Sequence, residues 1–376
     1  MSRVLLLITA EDCAAAKRGV LLGRSPRKDY LELAHVLGAD VLDLSAVHAD
    51  PTARRLDRFV RRGAGHAWLA SRLASRYETI FSDGEHIGLL LGAALARKRY
   101  RPRHVMIGHS LSARKKRPLA ALAREGIEAL IVHSGAQLEF AINRLGFDPA
   151  EVYLLPYQVD VDFWQPEAAR EELMIASAGL EQRDYGTFID AVKDLPVGVR
   201  IAGASYWSRT RNRLNGKKLP ANTMVDSYDY PGLRDLYSRA RMVVVPVRDV
   251  NFQAGITTVL EAMAMRKAVI VTHTQGQRET VVGPLWTADQ TTWPSRGPSP
   301  EECTGIYVPP RDPEALRSAI VYLVERPELA AVLGMNGRRC VEERLNIDRY
   351  VRSVAAVIDP ALAQPDGART DALKGV

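Results

Sequence analysis

Short apolar runs alternate with helix-period stretches along the whole chain. In the first half the runs are Val4–Ile8, Val41–Leu44, Thr79–Phe81, His104–Ile107, Ala129–Val132 and Val152–Leu155. They are too short for helices and do not alternate with polar residues, so they read as strands buried on both faces. Helical patterns fall between them, among them Asp29–Leu37, His86–Ala96 and Gly135–Leu145. Strand and helix in alternation predict a doubly wound parallel sheet.

A punctuated segment follows, from Leu155-Pro156 to Gln165-Pro166, and reads as a linker bracketed by prolines. A second alternating series then begins. Its strands are predicted at Leu173–Ala178, Val199–Ala202, Thr223–Val225, Met242–Val247, Ala268–Thr272 and Gly305–Val308. Its helices are predicted at Tyr185–Leu195, Leu233–Ala240, Thr257–Met265, Pro313–Glu325 and Pro327–Met335. The expected organisation is one α/β domain over residues 1–165 and a second over 166–339. A last amphipathic helix covers 340–358, and the small, polar tail 361–376 is expected to be disordered.

The stretch from Met242 to Thr272 is a strand, a polar loop with Gly255, a helix and a second strand. The carboxyl end of a parallel strand and the amino end of the next helix is where open α/β sheets bind ligands. Free N–H groups and the helix dipole there suit a phosphate. Gly255 lets the backbone approach closely, Ile256 and Thr257 open the helix, and Thr257 or Thr258 is the expected cap. Glu261 sits one turn in, where its carboxylate can accept two hydrogen bonds from vicinal hydroxyls.

Leu260-Glu261-Ala262-Met263-Ala264, with Gln253 eight positions before Glu261, resembles the donor site of retaining nucleotide-sugar glycosyltransferases of family four. That family carries glutamate at both positions; glutamine at 253 keeps hydrogen bonding but loses the charge. The resemblance implies a GT-B fold, two Rossmann-like domains facing a cleft, with the terminal helix returning to the first domain. It implies a metal-independent, front-face transfer of a hexose from a nucleoside diphosphate sugar, UDP-sugar favoured over GDP-sugar, to an acceptor hydroxyl. No cofactor is implied. By the same resemblance Arg183 grips the pyrophosphate, Glu261 the ribose, and Gln253 and His109 the transferred sugar. Gly203 lies close under the nucleotide, whose base is expected near Val225–Tyr228. Gly276 is expected to line the donor loop and Glu279 to brace a following helix. A second phosphate cation is sought among Arg209, Arg211 and Arg213. Arg24, Arg27, Glu85 and His86 are the acceptor-side candidates. Two other readings follow from the same residues: a sugar-nucleotide epimerase of the same fold, and, from Gln253, a nucleotide-sugar-binding subunit without turnover.

Composition adds three constraints. With 25% charged and 47% apolar residues the chain is ordinary globular material. No apolar run nears the ~20 residues a membrane span requires. Cys13, Cys303 and Cys340 have no pairing or metal spacing and read as free thiols in a reducing cytoplasm. The net charge of +7 is uneven, because residues 1–165 hold 24 Lys and Arg against 18 Asp and Glu. Three basic clusters stand out, at Arg54–Arg62, Arg97–Arg103 and Arg114–Arg117. The first lies on an amphipathic pattern that fits peripheral contact with an anionic inner membrane face. Nothing in the basic stretches has the aromatic platform or finger spacing of a nucleic-acid binder.

Overall fold

The computed structural model describes residues 3–167, 171–204 and 219–362. Arg209, Arg211, Arg213 and most of the expected tail lie outside the described residues. Two compact units are present. Among the described residues the first comprises 3–23, 27–156 and 348–362, and the second 24–26 and 157–347.

The first unit is a six-stranded sheet of β1 (Val4–Leu7), β2 (Asp40–Leu42), β3 (Thr79–Ser82), β4 (Arg103–Gly108), β5 (Ala129–Val132) and β6 (Val152–Leu154). Their order is β2-β1-β3-β4-β5-β6, and every pair is parallel. One core packs Leu5, Leu7 and Ile80 against Ile87 and Leu91; another packs Met106, Leu130 and Val132 against Leu89 and Ala120.

The second unit repeats the plan with β7 (Met174–Ala178), β8 (Gly198–Ala204), β9 (Thr223–Ser227), β10 (Met242–Val245), β11 (Ala268–Thr272) and β12 (Gly305–Val308). The order is β12-β11-β10-β7-β8-β9, again all parallel. The period of two is plain in β10: Val243 and Val245 join one core, Met242 and Val244 the other. Both faces are therefore covered, as the unbroken apolar runs required.

Several boundaries differ from the sequence reading for identifiable reasons. β10 stops at Val245 because Pro246 has no N–H to give the ladder. The helix expected from Leu233 begins at Tyr230, where Asp229 accepts from the Gly232 N–H at 2.8 Å. The helix from Pro327 continues to Arg344, because Gly334 and Gly337 let it lie against the backbone of Arg266 and the side chain of Met263. The linker residues after Pro156 group with the second unit rather than the first. There Val159, Phe163 and Trp164 pack into its core, and the ring of Trp164 lies 5.8 Å from that of Tyr237. The terminal helix expected at 340–358 is two pieces. Val341 stays in the second unit's core, Leu345 and Ile347 exchange backbone hydrogen bonds with Val159, and a new helix runs Ile347–Ile358. From Asp348 that helix belongs to the first unit, where Arg103 donates to the Val357 carbonyl at 2.9 Å.

Candidate active site

In the second unit the strand order reverses at β7, the topological switch point where ligands enter open α/β sheets. Gly179 follows β7 with φ 96°, and Gly255 follows β10's loop with φ 81°. Both adopt a backbone conformation that favours glycine. Arg183 lies between them. A Cβ on Gly179 would overlap its guanidinium, and one on Gly255 would stand 3.2 Å from Nη1. The guanidinium donates from Nε to the Ala178 carbonyl at 2.7 Å, from Nη1 to the Glu181 carbonyl at 3.0 Å, and from Nη2 to Thr258 Oγ1 at 3.0 Å. Arg183 is only 8% exposed, and no carboxylate among the described residues pairs with it. A buried cation without a carboxylate partner is a costly arrangement. Its backbone forms a bridge to Val247, and Asp184 and Arg248 add backbone bonds across the same two loops.

The helix Ile256–Ala264 starts directly beside this guanidinium. Its N-cap is Gly255, with no side-chain cap. The expected threonine cap is therefore corrected: Thr257 is exposed on the first turn, and Thr258 is buried, bracing Arg183. The first-turn N–H groups lack intrahelical partners, as at every helix start. Glu261 is half-buried on the same helix, and Tyr237 Oη donates to its Oε2 at 3.2 Å. Burial first, then the Glu261 carboxylate, hold the Tyr237 hydroxyl well above the ordinary phenol range, so it remains a donor.

Gln253 lies in the loop before Gly255. Its Nε2 donates to Thr280 Oγ1 at 3.3 Å, and its Oε1 is buried with no partner among the described residues. Gly276 packs against the backbone of Phe252 in this loop and donates to the Val250 carbonyl at 3.0 Å. No helix starts directly after Glu279, where bends run on to Val281, so the expected helix brace is corrected. Gly203 is buried in β8, and Tyr228 is half-buried just past β9, its hydroxyl raised in pKa by burial and then by Asp226. The structure thus brings Arg183, Gly255, Ile256, Thr257 and Glu261 onto one strand-loop-helix junction.

In the first unit the order reverses at β1, and a polar cluster fills the carboxyl ends of β1, β3 and β4. Asp83 Oδ2 accepts from Thr9 N at 2.7 Å and Thr9 Oγ1 at 2.8 Å. Burial raises the Asp83 carboxyl to about 6 against those hydrogen bonds. His109 is exposed and its Nε2 donates to the Asp83 carbonyl at 2.9 Å, which leaves Nδ1 outward of that bond. Glu85 is buried and both its oxygens are engaged: Oε2 accepts from the His109 N–H at 3.0 Å, Oε1 from Lys116 Nζ at 2.5 Å. Against the cost of burial, His109 and Lys116 hold Glu85 down at about 2. His86 is pushed to about 4, first by burial. Arg27 makes a two-bond ion pair with Asp348, at 2.9 and 3.0 Å, and Arg24 is exposed in the loop before it. Glu85 and Arg27 are therefore tied to their own unit, whereas Arg24 and His109 face solvent. Thr9, Asp83, Lys116, Thr280 and Tyr237 are bonded neighbours of these candidates that sequence reasoning did not single out, whereas Thr258 was expected only as a cap.

Residues 173–326 match the family model described as Glycosyl transferases group 1. Among curated proteins no relative matches. Among solved structures, sucrose-phosphate synthase from Thermosynechococcus elongatus superposes with TM-score 0.66 at 19% identity, covering 95% of this chain and 98% of that one. A glycosyltransferase from Rickettsia africae gives 0.65 at 14%, covering 96% and 98%. Anabaena HepE in complex with UDP-glucose gives 0.66 at 13%, covering 96% and 100%. At these identities the neighbours establish the fold, which is the two-sheet α/β GT-B architecture. The family model adds the class for the part that it matches: residues 173–326 form a glycosyltransferase domain.

Proposed function

We propose that this protein is a retaining glycosyltransferase that moves a hexose from a nucleoside diphosphate sugar, UDP-sugar favoured, to an acceptor hydroxyl. The observation that carries this reading is Arg183, buried, without a carboxylate, and seated against Gly255 at the start of the helix Ile256–Ala264. A diphosphate there would supply the missing anion, and the first-turn N–H groups would complete its shell. HepE was solved with UDP-glucose, which supports a nucleotide sugar as donor. Glu261, which accepts a hydrogen bond from Tyr237, would accept hydrogen bonds from both ribose hydroxyls one turn below the phosphates.

In this reading the acceptor oxygen attacks on the leaving-group side, and a phosphate oxygen takes its proton. Arg183 and the helix dipole stabilise charge as the diphosphate departs. Gln253 contacts the sugar, as the family resemblance implies. Gln253 cannot stabilise an oxocarbenium-like transition state by charge, and this favours one second reading, a subunit that binds nucleotide sugar without transferring it. The test is a panel of UDP- and GDP-sugars followed by anomer analysis of slow donor hydrolysis. Release of sugar in the donor's own anomeric configuration is expected. The inverted anomer would overturn retention, and tight nucleotide binding with no hydrolysis or transfer would favour the silent subunit.

A further inference from the structure

The three basic clusters of the first unit differ in how their charge is used. In the second, Arg101 pairs with Glu128 at 3.2 Å, Arg97 donates to the Ala93 carbonyl at 2.7 Å, and Lys98 donates to the Ser71 carbonyl. In the third, Lys116 pairs with Glu85, and Arg117 stacks 5.3 Å from the Phe140 ring. The first cluster is different. Arg54, Arg55, Arg58, Arg61 and Arg62 are all exposed, and no carboxylate among the described residues pairs with any of them. The one acid among them, Asp57, accepts from the Gly65 N–H at 2.6 Å.

The helix Pro51–Phe59 fixes this arrangement. Asp50 caps it, accepting from Thr52 and Ala53 N–H groups. Ala53 is buried and Leu56 half-buried, so this side lies on the body of the unit. Arg54, Arg55 and Arg58 fall on the opposite arc, at helical spacing. At its end Phe59 is 74% exposed and Val60 71% exposed, and the Arg58 guanidinium lies 5.1 Å from the Phe59 ring. Two large apolar side chains in water, rimmed by five unpaired guanidiniums, are an arrangement that solubility alone does not require.

We propose that this helix docks the protein on an anionic phospholipid surface, with Phe59 and Val60 entering the headgroup boundary and the five arginines meeting lipid phosphates. The charge selects the occupant: acyl chains match the apolar tip, and phosphate oxygens match guanidinium forks. A polyanion such as RNA would satisfy the charges but leave Phe59 and Val60 exposed. The surface is independent of the donor site, so it stands or falls separately from the proposed reaction.

Co-sedimentation with phosphatidylcholine vesicles, with and without phosphatidylglycerol, tests this on the full chain. Binding is expected only to the anionic vesicles, weakening as salt is raised. The triple variant R54Q/R58Q/R61Q should lower the partition coefficient by roughly 100-fold, from the contribution of each basic residue near an anionic surface. Phe59→Ser with Val60→Ser should lower it by about 10-fold or more. All five positions are exposed, and unchanged melting curves will show the variants folded. Equal binding to neutral and anionic vesicles, or no binding to either, would overturn the proposal. So would a wild-type affinity for RNA equal to that for anionic vesicles together with vesicle binding unaffected by the Phe59 and Val60 changes.

Discussion

Replacing Arg183 by Met keeps most of the side-chain volume and removes the charge. In the free protein the variant loses hydrogen bonds to the Ala178 and Glu181 carbonyls and to Thr258 Oγ1. Each such bond contributes about 1 kcal/mol net. Against this, the variant no longer buries an unpaired cation, whose effective desolvation penalty is several kcal/mol. The two effects oppose, so the melting temperature of the free protein should move by only a few degrees. In the nucleotide complex there is no such compensation. A guanidinium–phosphate hydrogen bond contributes about 1.5–3 kcal/mol, so UDP should bind roughly 10- to 150-fold more weakly. Isothermal titration with UDP, beside a melting curve without nucleotide, separates the two effects. Arg183→Lys, which keeps a cation but not the fork, should fall between Met and the wild type. A folded Arg183→Met variant that binds UDP within about twofold of wild type would refute the assignment.

Tyr237→Phe removes the hydroxyl that aims Glu261, and Glu261→Ala removes the carboxylate itself. Both should weaken UDP binding, the second by about 10-fold or more, and equal affinity for uridine nucleotide in Glu261→Ala would remove Glu261 from the site. Gln253→Glu should reverse the bond to Thr280, whose hydroxyl would then donate, and put a negative charge where the proposed reading has the sugar. A rise in donor turnover with unchanged UDP affinity is expected, and a loss of UDP affinity would place residue 253 elsewhere. Acid should destabilise the first unit. Burial holds His104 down at about 4 and His133 at about 3, so their stabilising neutral forms are present above the usual value of 6.5 and are lost as pH falls toward 4. For His104 alone the linkage amounts to about 3 kcal/mol. Asp83, raised to about 6, acts in the opposite sense over pH 6 to 4 but offsets only part. A melting temperature constant between pH 7 and pH 5 would contradict this.

Runs such as Val4–Leu7 and Ala268–Thr272 were legible because unbroken apolar segments have few homes outside a doubly covered sheet. The strand-loop-helix junction at Gly255 was legible for a related reason: Gly255, Ile256 and Glu261 are near neighbours in sequence, and local spacing dictates their geometry. What could not be read were bonds between distant residues. Tyr237 to Glu261, Thr258 to Arg183 and Thr9 to Asp83 each join separate elements, and no periodicity links such partners. The same limit explains Glu85 and Arg27. Both were acceptor-side candidates, and each meets a partner, Lys116 or Asp348, that only the fold brings near. The Thr257 cap failed because a positive-φ glycine opened the helix instead.

The central claim is that a nucleoside diphosphate lies against the first turn of the helix Ile256–Ala264. A crystal structure with UDP measures this directly. The account predicts both phosphates within hydrogen-bond distance of the Arg183 guanidinium and the Ile256–Thr258 backbone, with the ribose hydroxyls on Glu261. UDP bound at another place, with Arg183 still turned only to its carbonyls, would contradict it.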